Sequence, residues 1–530
     1  MDGRGRGLQA HVVVLRTSGN QAYIFGSNKR RENVGASELI TWVETRWLEK
    51  AIGRGVEELK LLDDGIEVMA AGAGAVTLIV RDRDEGKRIV GEITERALRE
   101  APGLDVCGVV GEAFEVGGVG EFTTALEKTR GAMLGVRMAR PGPDLRFPGL
   151  PIAARCTSSG LPAASIVRAP KPKEGRRPAE PRSAPSIAKL DAFPRALDRL
   201  AREMGLGKNS GTKLAGVVEH LNDKAEWVAV VHADGNGMGK VFQEFPELMK
   251  ELGPSDPLAY IESFRKLSRG VDECAKAAFR AAVQDLDGEV PRLLPLVLGG
   301  DDITVVCDGA LALTFTERYL RYFAEETKDH DDVGKFLNRG KHGDGLGACA
   351  GVAITKRNYP FHSAAGLAEE LTGEAKRVKE KLGAQRCALS FHVLYESAFA
   401  DLRRLRKEMR VGERLQLTAQ PYVIGGSDDD GEWAEHRCWE DLRRRVKVLT
   451  DERNGDRVIP AGQAHDLRSG LFQGQDAADA RFAALRTWLG AEAVSGLTGE
   501  DNSLFWQDGE TVRTGLLDAM NAVPFLRTED

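Results

Sequence analysis

An internal repeat constrains the fold of this chain more than any other feature of its sequence. Residues 72–79 match residues 299–306 position by position, with Thr77 falling on Thr304. Each copy is followed by a helical segment and then by a strand-like segment. The helical segments are residues 94–99 and 316–321, and the strand-like segments are residues 107–110 and 349–352. Three matches in register favour duplication over coincidence. We therefore predict two copies of one ferredoxin-like α+β unit.

The second copy carries two carboxylates at the tip of an apolar hairpin. Asp301 and Asp302 lie between the apolar runs 293–298 and 303–306. A tight turn needs only residues that accept positive φ, so the turn alone is also compatible with an ordinary exposed loop. The first copy has Gly74 and Ala75 at the corresponding positions. We therefore expect the first copy to be catalytically inactive.

A third acid, Asp234, ends an upstream apolar run and precedes a glycine-rich turn. The run at 227–233 is typical of a buried strand. If this strand lies beside the hairpin, Asp234, Asp301 and Asp302 converge as the hard oxygen ligands that Mg²⁺ prefers. The alternative is that Asp234 merely begins an Asx turn.

These two motifs together resemble the palm-domain large subunit of type III CRISPR effector complexes, a polymerase that makes cyclic oligoadenylates. Gly299-Gly300-Asp301-Asp302 corresponds to the Gly-Gly-Asp-Asp hairpin of that family. Asp234-Gly235-Asn236-Gly237-Met238-Gly239 resembles its acidic, glycine-rich loop, although Asn236 stands where the family commonly has a second acid. GGDEF diguanylate cyclases and class III nucleotidyl cyclases share the palm core. The resemblance implies an α+β fold with two ferredoxin-like palm domains.

The resemblance also implies a two-metal site. Asp234, Asp301 and Asp302 would hold a pair of Mg²⁺ or Mn²⁺ ions about 3.5 to 4 Å apart. Small or polar residues would let the nucleotide approach the backbone closely: Gly235, Asn236, Gly237, Gly299 and Gly300. Lys376, on a helix from about residue 363, would offset charge on the leaving pyrophosphate. The alternative is that Lys376 belongs to an exposed, salt-bridged helix face.

The predicted function is a nucleotidyltransferase that converts ATP to a cyclic oligonucleotide in CRISPR-type or related antiviral defence. Its partners would include guide or target RNA and other subunits of an effector complex. Two other classes stay open. The chain could be a GGDEF-like cyclase that makes a cyclic di- or mononucleotide without RNA control, or it could be a non-catalytic scaffold subunit of an RNA complex.

The chain divides into four regions in this interpretation: a degenerate first palm at 1–140, a linker with a basic run and a short helical region at 141–220, the catalytic palm at 221–395 and a mostly helical C-terminal domain at 396–530. The basic run comprises Lys171, Lys173, Arg176, Arg177 and Arg182. Eleven of the 21 prolines lie between Pro141 and Pro194, which is typical of a semi-rigid, partly disordered linker. Within it, Cys156 begins a stretch that resembles a zinc knuckle of the family. Ser159 replaces the second cysteine, so we predict no zinc.

Two further segments carry predictions about anions and partners. Residues 21–40 resemble an N-terminal signature of the family, and a helix capped at Ser37 would offer free N–H groups to an anion. A solvated loop with an ordinary serine cap is the alternative. In the C-terminal region, Trp439 and Trp488 are predicted to lie in the core. Several arginines there could face RNA or a partner: Arg403, Arg404, Arg406, Arg443, Arg444 and Arg445.

Composition fits a soluble cytoplasmic protein without membrane contact. The 530 residues carry a formal net charge of -6, seven scattered cysteines and no apolar run long enough to span a bilayer. The acidic balance argues against wholesale coating of nucleic acid, although a local basic groove is compatible with it. His330 and His465 each precede an aspartate but lack a surrounding histidine cluster, so we expect no nuclease site.

Overall fold

The computed structural model describes most of the chain. The described residues are 7–55, 59–116, 120–168, 179–207, 210–252, 259–286, 288, 290–339, 345–395, 400–426, 431–453, 455–499 and 502–526. The chain forms two units in which helices connect the strands of a sheet, and this confirms the predicted α+β class.

The first sheet is a ferredoxin-like unit. Its strands are β1 (Gln9–Ser18), β2 (Ile66–Gly72), β3 (Ala75–Val80) and β4 (Asp105–Glu115), in the spatial order β2-β3-β1-β4 with antiparallel neighbours. Its helices are α1 (Asn20–Phe25), α2 (Arg30–Thr41), α3 (Arg46–Ile52), α4 (Leu61–Asp64), α5 (Arg83–Glu100) and α6 (Glu121–Met138). The consecutive apolar residues of β1, from Val12 to Leu15, are all buried and form the centre of the core. The strand order is that of a βαββαβ unit.

The segment between the two sheets has secondary structure of its own. It contains a hairpin and two helices: β5 (Ser165–Arg168), β6 (Ala179–Arg182), α7 (Ala184–Glu203) and α8 (Gly211–Glu219). Helix α7 packs so tightly on α2 that a side chain at Gly35 would not fit: its Cβ would lie 1.8 Å from the Lys189 carbonyl oxygen. Most of the basic run of the predicted linker lies outside the described residues, while Arg182 pairs with the buried Glu32 at 2.9 Å.

The predicted helix start at Ser37 is wrong. Helix α2 already begins at Arg30, so Ser37 lies in its interior and is buried. Its hydroxyl donates to the Leu296 carbonyl oxygen at 2.5 Å and accepts from Arg199 at 2.9 Å. Because the backbone N–H groups of a helix interior are already paired, no anion site exists at Ser37.

The basic residues that begin α2 also have structural partners. The Arg30 guanidinium stacks on the Phe361 ring at 4.1 Å and is buried, while Arg31 pairs with Glu219 at 2.7 Å.

The second sheet repeats the first and extends it. Its strands are β7 (Trp227–Gly235), β8 (Leu293–Gly299), β9 (Asp302–Asp308), β10 (Ala348–Lys356), β11 (Cys387–Leu394) and β14 (Tyr422–Ile424), in the order β14-β11-β10-β7-β9-β8. Its helices are α9 (Met238–Leu252), α10 (Ala259–Gln284), α11 (Gly309–Asp329), α12 (Asp331–Arg339), α13 (Phe361–Ala375) and α14 (Val378–Leu382). The order β8-β9-β7-β10 reproduces β2-β3-β1-β4, which confirms two palm-like units.

The C-terminal region is mainly helical. Its helices are α15 (Leu402–Glu408), α16 (Gly431–Ala434), α17 (Trp439–Thr450), α18 (Ala461–Gln473), α19 (Gln475–Leu489), α20 (Ala491–Val494) and α21 (Leu516–Ala522). Beside β14, the region contains short strands: β12 (Arg410–Val411), β13 (Leu415–Gln416), β15 (Glu452–Arg453), β16 (Asp456–Arg457), β17 (Trp506–Asp508) and β18 (Thr511–Arg513). Four of these form a small sheet in the order β12-β13-β18-β17, which the sequence analysis did not predict.

Burial in the C-terminal region corrects two predictions. Trp439 is fully buried as expected, but Trp488 is 63% exposed, so its assignment to the core is wrong. Arg406 and Arg445 are enclosed by protein, so neither is free to face RNA or a partner. Within the described part of the chain, no helix is long and apolar enough to cross a membrane.

Candidate functional site

Three carboxylates meet at one end of the second sheet. Asp234 is the penultimate residue of β7, Asp302 begins β9, and the two residues are direct cross-strand partners. Asp301 lies in the turn between β8 and β9, and its carbonyl oxygen accepts a hydrogen bond from the Gly235 N–H at 3.1 Å. Each acid offers one oxygen, and these oxygens lie within 4.8 Å of one another. The register of β7 on β9 therefore produces the predicted convergence.

Lys376 joins this cluster from α13. It follows the last residue of that helix, and its ammonium forms an ion pair with the Asp234 carboxylate. Thr372, one turn earlier on the same helix, donates to the His232 carbonyl oxygen of β7 at 2.9 Å. The structure thus places Lys376 against a candidate metal ligand, which distinguishes it from a residue of an exposed, salt-bridged helix face.

The pKa values of Asp301 and Asp302 are both raised. Burial, followed by the charge of Asp302, raises the pKa of Asp301 to about 6. Burial and the nearby Glu369 also raise the pKa of Asp302, while Arg16 opposes the shift. Close carboxylates that are partly removed from water repel one another, and a bound cation would relieve this repulsion. The donor set, three carboxylate oxygens in reach of one another, suits a hard divalent ion such as Mg²⁺ or Mn²⁺.

Two glycines of the predicted site are needed for packing between backbone segments. A Cβ at Gly235 would lie 2.8 Å from the Asp301 Cβ, so a side chain there would displace this acid. A Cβ at Gly299 would lie 2.8 Å from the backbone nitrogen of Ala73 in the first hairpin. The tips of the two hairpins therefore touch, and Gly299 faces the other hairpin at this point.

Gly237 and Gly300 have a different requirement. Both adopt positive φ, of 77° and 64° respectively, a region that residues with a Cβ rarely occupy. The Gly300 N–H donates to the Asp272 carboxylate of α10 at 2.9 Å, which fixes the turn that carries Asp301.

Asn236 does not join the cluster, contrary to its predicted place among the nucleotide-binding residues. Its side chain is only 1% exposed and donates to the Arg386 carbonyl oxygen at 2.9 Å. Its backbone N–H donates to the Gly347 carbonyl oxygen at 2.8 Å. The Asn236 side chain therefore anchors the loop to the segments beside β10 and β11, and it is too buried to contact a nucleotide.

Sequence reasoning missed three residues near the acids. Glu369 on α13 and Arg16 on β1 of the first unit both affect the pKa of Asp302. His232 lies two residues before Asp234, and its Nδ1 is 3.2 Å from the Thr304 hydroxyl. Burial and the Lys376 charge lower the pKa of His232 to about 4, so its ring is neutral at pH 7. No motif or repeat in the sequence signalled these three positions.

The segment that resembles a zinc knuckle contains a hydrogen-bonded cluster of hydroxyl groups around Cys156. Cys156 is buried, with its Sγ 3.3 Å from the Ser158 hydroxyl. The Ser159 hydroxyl lies 3.0 Å from that of Ser183, and the Ser158 hydroxyl lies 3.3 Å from that of Ser186. Burial raises the pKa of Cys156, but the surrounding hydrogen bonds outweigh it and bring the value to about 6.

A family model matches the part of the chain that holds this site. Residues 227–383 match the model described as Cas10/Cmr2, second palm domain. This match confirms, for these residues, the resemblance to the palm-domain subunit of type III CRISPR complexes. No curated protein matches the sequence at a significant level.

Several solved structures are similar to this chain at low sequence identity. The Csm1-Csm4 cassette in complex with AMPPNP is 14% identical, with a TM-score of 0.46 over 94% of this chain and 66% of that chain. The same cassette in complex with pppApApA is 15% identical, with a TM-score of 0.47 over 99% and 71%. Csm1 in T. onnurineus is 13% identical, with a TM-score of 0.45 over 93% and 65%. This chain thus spans about two thirds of these proteins, and at such TM-scores the likeness carries no argument about function.

Proposed function

We propose that this chain is a metal-dependent nucleotidyltransferase that joins ATP into a cyclic oligonucleotide, because residues 227–383 match the model of the Cas10/Cmr2 second palm domain. The observation that carries the proposal is the meeting of Asp234, Asp301 and Asp302 within this domain, with Lys376 beside them. The preference for adenine and the cyclic product rest on the family resemblance alone.

The chemistry assigns a task to each charged residue. Asp234, Asp301 and Asp302 would hold Mg²⁺ or Mn²⁺, which when bound supplies the positive charge that activates a 3′-hydroxyl and offsets the triphosphate. The 3′-hydroxyl gives up its proton to water and its oxygen forms a bond to the α-phosphorus of a second nucleotide. The bond from this phosphorus to the bridging oxygen breaks, and pyrophosphate leaves with the electron pair. Lys376 would stabilise the charge that develops on this leaving group.

The partners of this chain belong to the proposal as well. We assign ATP as the substrate, other subunits of an effector complex as protein partners, and guide or target RNA as the regulator. Because glycine has no side chain, Gly235, Gly237 and Gly300 would let a nucleotide approach the backbone closely. Position 299 is excluded from this role because it faces the first hairpin.

The test is to incubate the purified chain with each NTP and Mg²⁺ or Mn²⁺, with and without RNA, and to resolve the products by mass. We expect consumption of ATP and release of pyrophosphate, both abolished by EDTA and by the double substitution Asp301→Ala/Asp302→Ala. Ala75→Asp, which places a carboxylate at the equivalent position of the first hairpin, is the matched control and should retain activity. If the double variant consumes nucleotide as fast as wild type, the proposal is wrong.

The same products separate the alternatives. An RNA-independent cyclic di- or mononucleotide would identify a cyclase of the GGDEF type. A folded chain that consumes no NTP under any of these conditions would identify a scaffold subunit.

A further inference from the structure

A buried polar network connects the C-terminal region to the helix that carries Lys376. The Arg406 guanidinium of α15 donates to both oxygens of Glu374 in α13, at 2.9 and 2.6 Å. The same guanidinium donates to the Gln420 side-chain oxygen at 2.9 Å. Both members of the ion pair are largely buried, with side-chain exposures of 14% and 9%. Charge-assisted forks of this kind are the most geometrically specific of protein hydrogen bonds.

The network continues to the last helix of the chain. The Gln420 amide donates to Asp518 of α21 at 3.0 Å, and Asp518 is itself buried. The other donors to Asp518 are the Thr418 hydroxyl, the Ala419 N–H and the Tyr422 hydroxyl, all within 3.0 Å. Four donors fix Asp518, which orients Gln420, and Arg406 donates to both Gln420 and Glu374. The network therefore holds Arg406 and Glu374 in one orientation.

The last turn of α13 is therefore held on two opposite sides. Thr372 and Lys376 are four residues apart and share the face toward β7, where they contact the His232 carbonyl oxygen and Asp234. Glu374 lies between them in sequence and points the other way, toward Arg406. A Cβ at Gly351 would lie 2.1 Å from the Ala368 oxygen, so the helix already rests directly on β10. Because this contact fixes the position of α13 on the sheet, the Glu374–Arg406 pair sets how the last turn of α13 is rotated about the helix axis.

We propose that Arg406 is a positioning residue of the C-terminal region, which sets the place of the Lys376 ammonium in the active site by holding Glu374. This inference rests on the proposed function of Lys376. It gives the C-terminal region a task in catalysis, since it supplies the group that orients a residue of the palm. Arg406 contacts neither the acids nor, in this assignment, the nucleotide.

The first test is a double-mutant cycle on catalysis. Arg406→Lys keeps the charge but loses the two-pronged contact. We expect about a tenfold fall in kcat with KM for ATP changed less than about twofold, because a displaced lysine stabilises the transition state poorly. In a Lys376→Ala background, Arg406→Lys should lower kcat no further. Arg404→Lys, on the exposed side of the same helix, is the matched control. An equal fall in both backgrounds would overturn the inference.

A second variant separates positioning from stability. Replacing the pair by Glu374→Leu/Arg406→Met removes both buried charges, a change that often leaves stability intact. We expect this double variant to unfold at about the wild-type temperature while its kcat stays about tenfold low. Recovery of kcat together with stability would mean that the pair is only a structural contact.

A third measurement does not depend on turnover. The rate of Lys376 acylation, followed by mass spectrometry of its peptide, should rise about threefold or more in Arg406→Lys, because the released ammonium becomes more accessible. An unchanged rate would overturn the inference. If wild type turns over no nucleotide, the proposed function fails, and the acylation rate alone decides whether Arg406 positions Lys376.

Discussion

In each of the two hairpin tips a backbone N–H donates to a carboxylate, but the tips differ in what they carry. In the second tip, Gly300 donates its N–H to Asp272 at 2.9 Å, and in the first, Gly74 donates its N–H to Glu44 at 2.6 Å. The second tip presents Asp301 toward Asp234 and Asp302, whereas a Cβ at Gly74 would lie 2.3 Å from the Thr17 hydroxyl. The first tip is therefore packed where the second is open. A side chain equivalent to Asp301 has no room there.

This difference shows what the first copy contributes. The first tip not only lacks the acids; its backbone at Ala73 also packs against Gly299 of the second tip. The turn that carries Asp301 is thus supported on one side by Asp272 and on the other by the first hairpin. In these terms, the duplication leaves one copy to supply carboxylates and the other to hold them in place.

The position of Asp301 in the second hairpin tip depends most on Gly235. We expect Gly235→Ala to lower kcat/KM for ATP by about a hundredfold, because the new Cβ would displace Asp301. Steady-state kinetics and Mg²⁺ titration of both proteins would measure the loss. Gly239→Ala is the matched control, since a Cβ at Gly239 meets no atom within 4 Å. Equal activity of the two variants would show that the position of Asp301 does not matter.

The contact between the tips depends on Gly299. We expect Gly299→Ala to lower the free energy of unfolding by about 2 kcal/mol, because the new Cβ would be forced against the Ala73 backbone. Urea denaturation would measure this loss. Gly300→Ala, where there is open space but φ is 64°, should cost only about 1 kcal/mol. A larger loss at position 300 than at 299 would mean that the tips do not support each other.

The charge of the second tip has a stability cost that depends on pH. The raised pKa of Asp301, about 6 against an ordinary 3.8, means that its carboxylate opposes folding above pH 6 and that the penalty vanishes toward pH 4. In EDTA at pH 7.5, Asp301→Asn should therefore raise the free energy of unfolding by about 1 to 2 kcal/mol. Thermal unfolding across this pH range would measure the gain.

Two results would bear on this reading of Asp301. Mg²⁺ should stabilise wild type more than the variant, because the acid is a proposed ligand. A gain of the same size at pH 4 and pH 7.5 would exclude the charge of Asp301 as its cause.

The sequence revealed the repeat and the acids because both follow local patterns. Strand periodicity located the two hairpins, and the strand that carries Asp234 pairs with the one that begins at Asp302, as the fold requires. The inward turn of Asn236 could not be predicted, since its partner is a carbonyl oxygen 150 residues away. The burial of Ser37 depends in the same way on a distant strand. Such contacts are set by tertiary packing, which no short window of sequence contains.

The smallest effect is expected from a change in the backbone of the first hairpin tip, at Ala73. Ala73 has φ of 51°, a left-handed conformation that is strained for any residue with a Cβ. Ala73→Gly should relieve this strain and raise the free energy of unfolding by about 0.5 kcal/mol, after part of the gain is lost to greater freedom in the unfolded chain. Denaturation midpoints of wild type and variant would measure it, with unchanged kcat as the sign that the tips still meet. A clear loss of stability would show instead that the Ala73 methyl group, 3.4 Å from where a Gly299 Cβ would lie, is itself part of the support for the active hairpin.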